Sequence, residues 1–155
     1  MIPPRYAISL KQPWAALVVA GLKTIEVRTW PTKRRGPILI HASKTIDERP
    51  EGWLHIATPE LKRTAALLGG IVGAVDLTDC IEYDSADSFA AAVLRHYNDV
   101  SWFKPPRLYG FAFENARPLP FVKLPGNTNF FPVNAPWLVV VPPEGAAAGK
   151  DTVDE

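Results

Sequence analysis

Apolar positions along the chain recur with two different periods, and the switching between them predicts a mixed α+β fold. Residues 6–10 (YAISL) read as a short strand entering a core. Pro13 then breaks the pattern, since proline suits the first turn of a helix and disfavours helical backbone just before it. Residues 14–20 follow as a short apolar helix, with Leu17 and Val18 at helical spacing from Trp14. Gly21 stands where a left-handed residue would end that helix. Residues 23–30 are rich in Thr, Ile, Val and Trp and alternate, which is the signature of a strand, and residues 37–42 are a second one. Between them lies the basic segment Pro31-Thr-Lys-Arg-Arg-Gly36, so the two strands are expected to form an antiparallel hairpin with cations at its tip.

Residues 43–68 read as helical with irregular stretches, with Thr58 as an N-cap and Pro59 at the first helical position. A long strand is expected over 71–83. A helix capped by Ser85 follows and runs through Tyr97, with Phe89, Val93 and Tyr97 on one face. Further strands are expected over 109–114, 121–124 and 137–141. Five or more short strands with few helices suggest a closed or partly closed barrel. One domain over residues 1–142 accounts for all of these elements. Residues 143–155, small, polar and acidic, are expected to be a disordered tail.

Composition narrows the classes. With 47% apolar and 21% charged residues over 155 positions, the chain has the balance of a soluble globular domain. The uncharged run 12–22 is short of the ~20 residues a membrane helix needs, and the run 124–143 is broken by Pro125, Pro132 and Pro136. Met1-Ile-Pro-Pro-Arg-Tyr lacks the basic region and apolar run of a signal peptide. The lone Cys80, in an apolar run, reads as a buried small hydrophobe. Together these predict a cytoplasmic protein with no membrane partner. The net charge of +1 conceals an asymmetry: residues 1–63 carry 11 Lys/Arg against 5 Asp/Glu, and residues 64–155 carry 6 against 11. A basic surface should therefore come from the first part of the chain.

The chemistry concentrates in Gly21-x-Lys23-x-x-Glu26-x-Arg28. On a strand, residues two apart point the same way, so Thr24, Glu26, Arg28 and Trp30 share one face while Ile25 and Val27 take the core face. Lys23 stands at the helix-to-strand turn, able to lean over the polar face. A lysine, a glutamate, an arginine and an indole on one concave surface suit a phosphate and a stacked base. The plainer alternative is an exposed Glu26–Arg28 pair of little energetic worth, with Trp14 and Trp30 as core indoles and Lys33, Arg34 and Arg35 as a solvated turn. His41, His55 and His96 have no zinc-site spacing, and no Gly-x-Ser-x-Gly elbow or phosphate-cradling glycine loop occurs. His41, in the run Ile38-Leu-Ile-His-Ala42, reads as structural. No metal and no cofactor is implied.

Three stretches taken together resemble the ASCH (activating signal cointegrator homology) domain family: Ser9-Leu-Lys-Gln-Pro-Trp-Ala, Gly21-Leu-Lys-Thr-Ile-Glu-Val-Arg28, and Arg35-Gly-Pro-Ile-Leu-Ile-His-Ala-Ser43. The strand Gly69-Gly-Ile-Val-Gly-Ala-Val-Asp-Leu-Thr-Asp79 and the closing Phe121-Val-Lys-Leu-Pro-Gly-Asn127 are similar as well. The resemblance implies a PUA-like β-barrel of five or more mostly antiparallel strands with flanking short helices. It also implies a cleft containing the Gly-x-Lys segment and an RNA, DNA or nucleotide-like partner. The contact set would be Trp14, Lys23, Glu26, Arg28, Trp30, Lys33, Arg34 and Arg35. One branch of the family hydrolyses the amide of N4-acetylcytidine with a Lys of this segment, a Thr three residues on and a distant Glu. Here Lys23 matches the lysine, but Glu26 stands at the threonine position, and Glu114 or Asp76 is left as the distant acid. Two functions follow. The first is a nucleic-acid-binding module. The alternative is an enzyme of nucleic-acid metabolism, an amidohydrolase on an N4-acylated cytidine nucleoside or a weak ribonuclease, with Lys23 and Glu26 as catalytic candidates.

Overall fold

Two long strands, β4 (Gly70–Tyr83) and β5 (Leu108–Lys123), form the antiparallel spine of the computed structural model, which describes residues 6–134. Their ladder runs from Gly70 opposite Lys123 to Tyr83 opposite Leu108 and shifts register at three places. Such bulges bend and twist a sheet more than a regular ladder does. The break expected between residues 114 and 121 is one of these irregularities and not a loop. Asn115 takes a positive φ of 54°, and the strand continues through Pro118.

The other strands are β1 (Tyr6–Leu10), β2 (Ile25–Arg28), β3 (Gly36–Ala42) and the two-residue β6 (Phe131–Pro132). The sheet order is β2-β5-β4-β3-β1-β6, with β1 parallel to β3 and every other pairing antiparallel. This is the expected α+β class with six strands, but among the described residues the backbone ladder does not close into a barrel, and β2 and β6 are its edges. The expected hairpin of residues 23–42 does not form either. β2 pairs with β5 while β3 pairs with β4 and β1. Residues 29–35 are a crossover, and seven extended residues reach up to ~25 Å, enough to step over three strand spacings of ~4.8 Å each.

The short helices are α1 (Trp14–Val19), α2 (Pro50–Trp53), α3 (Pro59–Ala65), α4 (Ala86–Ala91) and α5 (Val93–His96), with a 3-10 turn at Val100–Trp102. Every residue of α1 is buried. Its start is held by Gln12, whose side-chain oxygen accepts from Ala16 N (3.0 Å) and whose amide donates to the Thr64 and Leu67 carbonyls (2.8 and 3.0 Å). A fully buried amide is thus satisfied on both ends, which burial requires. Gly21 turns the chain with φ +80°. Thr58 and Ser85 cap α3 and α4 as their sequence suggests, accepting from Leu61 N and Ser88 N. The helix expected over 85–97 is broken at Ala92, so Phe89 is buried but Val93 is 43% exposed. Cys80 is half-buried, not enclosed. The strand expected at 137–141 and the tail at 143–155 lie outside the described residues.

The main core packs α1 against one face of the sheet, through Leu17, Val18, Ile8, Ile40, Val75 and Phe111 among others. A smaller cluster, Val27, Tyr83, Phe89 and Leu108, joins the sheet to α4. Ile25 and Val27 are buried as the alternation predicts, but Glu26 lies opposite Phe111 and so also faces an interior. Where α1 crosses β4 the fit depends on Gly73: a Cβ there would sit 2.5 Å from the Arg117 carbonyl oxygen and closer still to Val19. A backbone oxygen cannot step aside, so Gly73→Ala is expected to lower the unfolding free energy by about 1–3 kcal/mol in urea denaturation. An unchanged midpoint would show that β5 at Arg117 and α1 at Val19 both give way.

Candidate functional site

The turn at Gly21 delivers Lys23 to a position just ahead of β2, and there its side chain runs inward. Lys23 is 1% exposed. Its Nζ donates to the His96 carbonyl oxygen and to Asn98 Oδ1 (2.7 Å), lies 4.0 Å from Glu26 Oε1 and sits 4.7 Å from the centroid of the Trp14 ring. Burial pulls its pKa down to about 8, with Glu26 and Glu51 opposing that shift and Arg28 adding to it. The acceptors are themselves fixed. His96 Nδ1 accepts from Asn98 N (2.9 Å), so Nε2 carries the proton it donates to Phe89 O (2.7 Å), and the ring stacks on Phe89 at 4.0 Å. Burial lowers the His96 pKa, which keeps this tautomer neutral.

Glu26 extends the network outward. Its Oε2 accepts from Arg28 Nε at 3.1 Å, and Arg28 Nη2 donates to the Ser9 carbonyl at 2.8 Å. The side chains of Glu26 and Arg28 are 12% and 18% exposed, so this is not the solvent-facing pair that strand alternation alone would allow. Trp14, a second expected ligand platform, is 5% exposed, donates to Asp47 Oδ2 (2.8 Å) and meets Trp102 edge-on. Although burial pushes the Asp47 pKa up, hydrogen bonds from Arg49 and Trp14 hold it at about 2. Arg49 lies on Trp102, 4.0 Å from its centroid, and Glu51 accepts from Trp102 Nε1 (3.0 Å). Lys23, Glu26, Arg28 and Trp14 are therefore brought together, but as an enclosed polar nook. Asp76 and Glu114 are not among the partners of Lys23: Asp76 accepts from Asn115 and pairs with Arg117, and Glu114 is exposed opposite it on β5. His41 is structural in form, with Nε2 donating to Leu124 O and Nδ1 accepting from Ser9 Oγ.

The second group of expected site residues lies on the crossover. Trp30, Lys33, Arg34 and Arg35, with Phe130 from the far end of the chain, line an open concavity of ≈ 680 Å³. Trp30 packs edge-on against Phe111 (5.2 Å) and Phe130 (5.8 Å). The three adjacent cations are not equivalent. Arg35 folds back on its own turn, donating to the Thr32 and Arg34 carbonyls (3.2 and 2.7 Å). The Arg34 guanidinium carbon lies 3.8 Å from the centroid of Tyr6 and 5.2 Å from that of Phe130. Lys33 is exposed and makes no ion pair among the described residues. Arg28, 5.9 Å from the Trp30 ring, stands between the nook and the concavity. Asn98, Asp47, Tyr6 and Phe130 were not singled out from sequence, because the contacts that bring them to the site, with Lys23, Trp14 and Arg34, span 28 or more positions. Among the described residues no His, Cys, Asp or Glu cluster could hold a metal, and no helix is long and apolar enough to cross a membrane.

The nook has a pH signature. The folded-state pKa of Lys23 lies below its unfolded value of 10.5, so the folded chain gives up this proton first. Stability contributed by Lys23 is then flat below about pH 8 and rises between there and 10.5. Lys23→Met, which leaves buried acceptors unmet, is expected to cost about 1–3 kcal/mol at pH 7. The gap to wild type should widen towards pH 10 in urea melts. A gap independent of pH would mean that the ammonium is solvated.

With the geometry in hand, comparison with known proteins is specific. The family model for the ASCH domain matches residues 8–124. Activating signal cointegrator 1 from Homo sapiens is 34% identical over 89 residues, and that from Mus musculus 35%; the match takes in 49% of this chain and 14% of either relative. The crystal structure of ASCH from Zymomonas mobilis superposes with a TM-score of 0.60 at 15% identity, covering 83% of this chain and 87% of that one. A mutant of the same protein gives 0.59 over 86% and 92%. At that identity the structural likeness speaks for the fold, and the family match speaks for descent: this chain belongs to the ASCH domain family.

Proposed function

We propose that this ASCH domain binds nucleic acid, RNA or DNA, through the concavity of the crossover, with Trp30 as stacking surface and Lys33, Arg34 and Arg35 as the cationic rim. The observation that carries this reading is the juxtaposition of a half-buried indole with three consecutive cations around one concavity. Base stacking on an aromatic face and phosphate contact by neighbouring cations are the two ingredients of single-strand binding. The PUA-like fold implied by the resemblance is associated with RNA binding, in keeping with this chemistry. Within the reading, Lys23 and Glu26 act behind the contact surface, and Arg28 links them to it. An amidohydrolase or ribonuclease would need its substrate to reach Lys23 Nζ. That atom is enclosed, donating to His96 O and Asn98 Oδ1 and lying 4.0 Å from Glu26 Oε1.

The test is the salt dependence of binding. Each neutralised phosphate releases condensed counterions, so log affinity for single strands should fall against log salt by about 0.7 per contact. Replacing Lys33, Arg34 and Arg35 together by Ala should flatten that slope by up to ~2 units. The single Arg35 variant should contribute least, because that guanidinium is already engaged with its own turn. Trp30→Ala should cost about 1–3 kcal/mol of binding, provided circular dichroism shows the variant folded. Fluorescence anisotropy with labelled RNA and DNA between low and physiological salt reads all of this. No binding at low salt, or a slope untouched by the triple variant, overturns the reading.

A further inference from the structure

We infer that Arg34 is a base-reading residue that selects guanine, which deepens the proposed nucleic-acid site and rests on that reading. Four observations lead there. The Arg34 side chain makes no hydrogen bond and no ion pair among the described residues, whereas Arg28 and Arg35 beside it donate to carbonyl or carboxylate oxygens. Its guanidinium is nonetheless held, lying over Tyr6 at 3.8 Å and near Phe130 at 5.2 Å. It is half-buried while Lys33 and Arg35 on either side are exposed. And Phe130 also touches Trp30, so the stacking surface and the guanidinium share one aromatic wall.

A guanidinium laid on an aromatic ring keeps its N–H donors in its own plane, pointing away along the wall. Contact with the ring holds the guanidinium in place without using any of its hydrogen bonds. Phosphates of a bound strand run on the outside, where Lys33 and Arg35 stand. A base stacked on Trp30 enters the recess and brings its edge to Arg34. Guanine offers O6 and N7 side by side, two acceptors matched to two parallel N–H groups, and this is the bidentate pairing that arginine makes best. Adenine sets an amino donor beside N7 and meets the fork with a clash of donors. Uracil and thymine separate their acceptors with an N–H. Cytosine, through N3 and O2, is the nearest competitor and has the smaller ring to stack. Arg34 thus acts as a specificity residue, and the cations beside it supply the sequence-independent attraction.

The experiment measures anisotropy of labelled oligo(U) and oligo(dT) decamers carrying one central guanine, adenine, cytosine or 7-deazaguanine, with the full chain and with Arg34→Lys. The expected result is that guanine binds roughly five- to a hundredfold tighter than adenine, that 7-deazaguanine loses most of that gain, and that Arg34→Lys removes the preference. The readout is the ratio of guanine to adenine affinity within each protein, so any loss of overall affinity in the variant, whose residue belongs to the proposed rim, cancels out of it. Equal affinity for all four central bases, a preference for cytosine, or a guanine preference that survives in Arg34→Lys overturns the inference while leaving the binding reading intact. Failure of every decamer to bind at low salt overturns both.

Discussion

An ammonium group taken out of water costs several kcal/mol unless its partners replace the lost hydration, and Lys23 carries such a group at 1% exposure. What replaces the water is drawn from three separate segments. The carbonyl of His96 ends α5, Asn98 lies just beyond it, Glu26 is on β2, and the Trp14 ring opens α1. Each of these must be in place for the charge to be tolerated, so one side chain couples the start of the first helix to a loop some seventy residues away. The depressed pKa of Lys23 shows that the replacement is incomplete, since the environment still disfavours the charged form. A less polar residue would avoid that penalty, but it would leave the His96 and Asn98 acceptors without a donor.

The same chain of charges accounts for how the open sheet is held. β6 pairs with Tyr6 and Ala7 alone, which leaves the rest of β1 without a strand on that side among the described residues. β2 is the other edge. An exposed edge invites further pairing, and here the two edges are tied by a side chain: Arg28, oriented by Glu26, reaches the Ser9 carbonyl. The gap that a closed barrel would fill with a ladder is bridged by a guanidinium, and the crossover with its concavity begins immediately after it.

How much of this was legible in sequence follows from the range of each interaction. The alternation that buries Ile25 and Val27, the caps at Thr58 and Ser85, and the left-handed Gly21 are settled within a few residues, and all of them appear in the structure. The hairpin expected of β2 and β3 rested on the tendency of consecutive strands to pair, and nothing local to residues 29–35 says that they span three strand spacings. The inward turn of Lys23 was equally hidden, because Asn98 is 75 positions away and its neighbours carry no motif. Reading Glu26 and Arg28 as one polar face was correct as geometry. It misled only as to solvent, since that face of β2 looks onto Phe111 and the main core.

The segment with the strongest family resemblance is therefore mostly interior. Gly21 turns, Lys23 is enclosed, Glu26 and Arg28 bridge the edges, and Gln12 ties α1 to α3. The proposed ligand contacts, the half-buried Trp30 and Arg34 and the exposed Lys33, come directly after it on a stretch with no regular structure. This division has a consequence for experiment. Under the proposed reading, a substitution at Lys23 or Glu26 disturbs Arg28 and the edge it holds, and so mimics the loss of a contact or of a catalyst. On that reading, variants on the crossover alter the proposed contact chemistry without touching the buried charge, and they are the ones that would report its specificity.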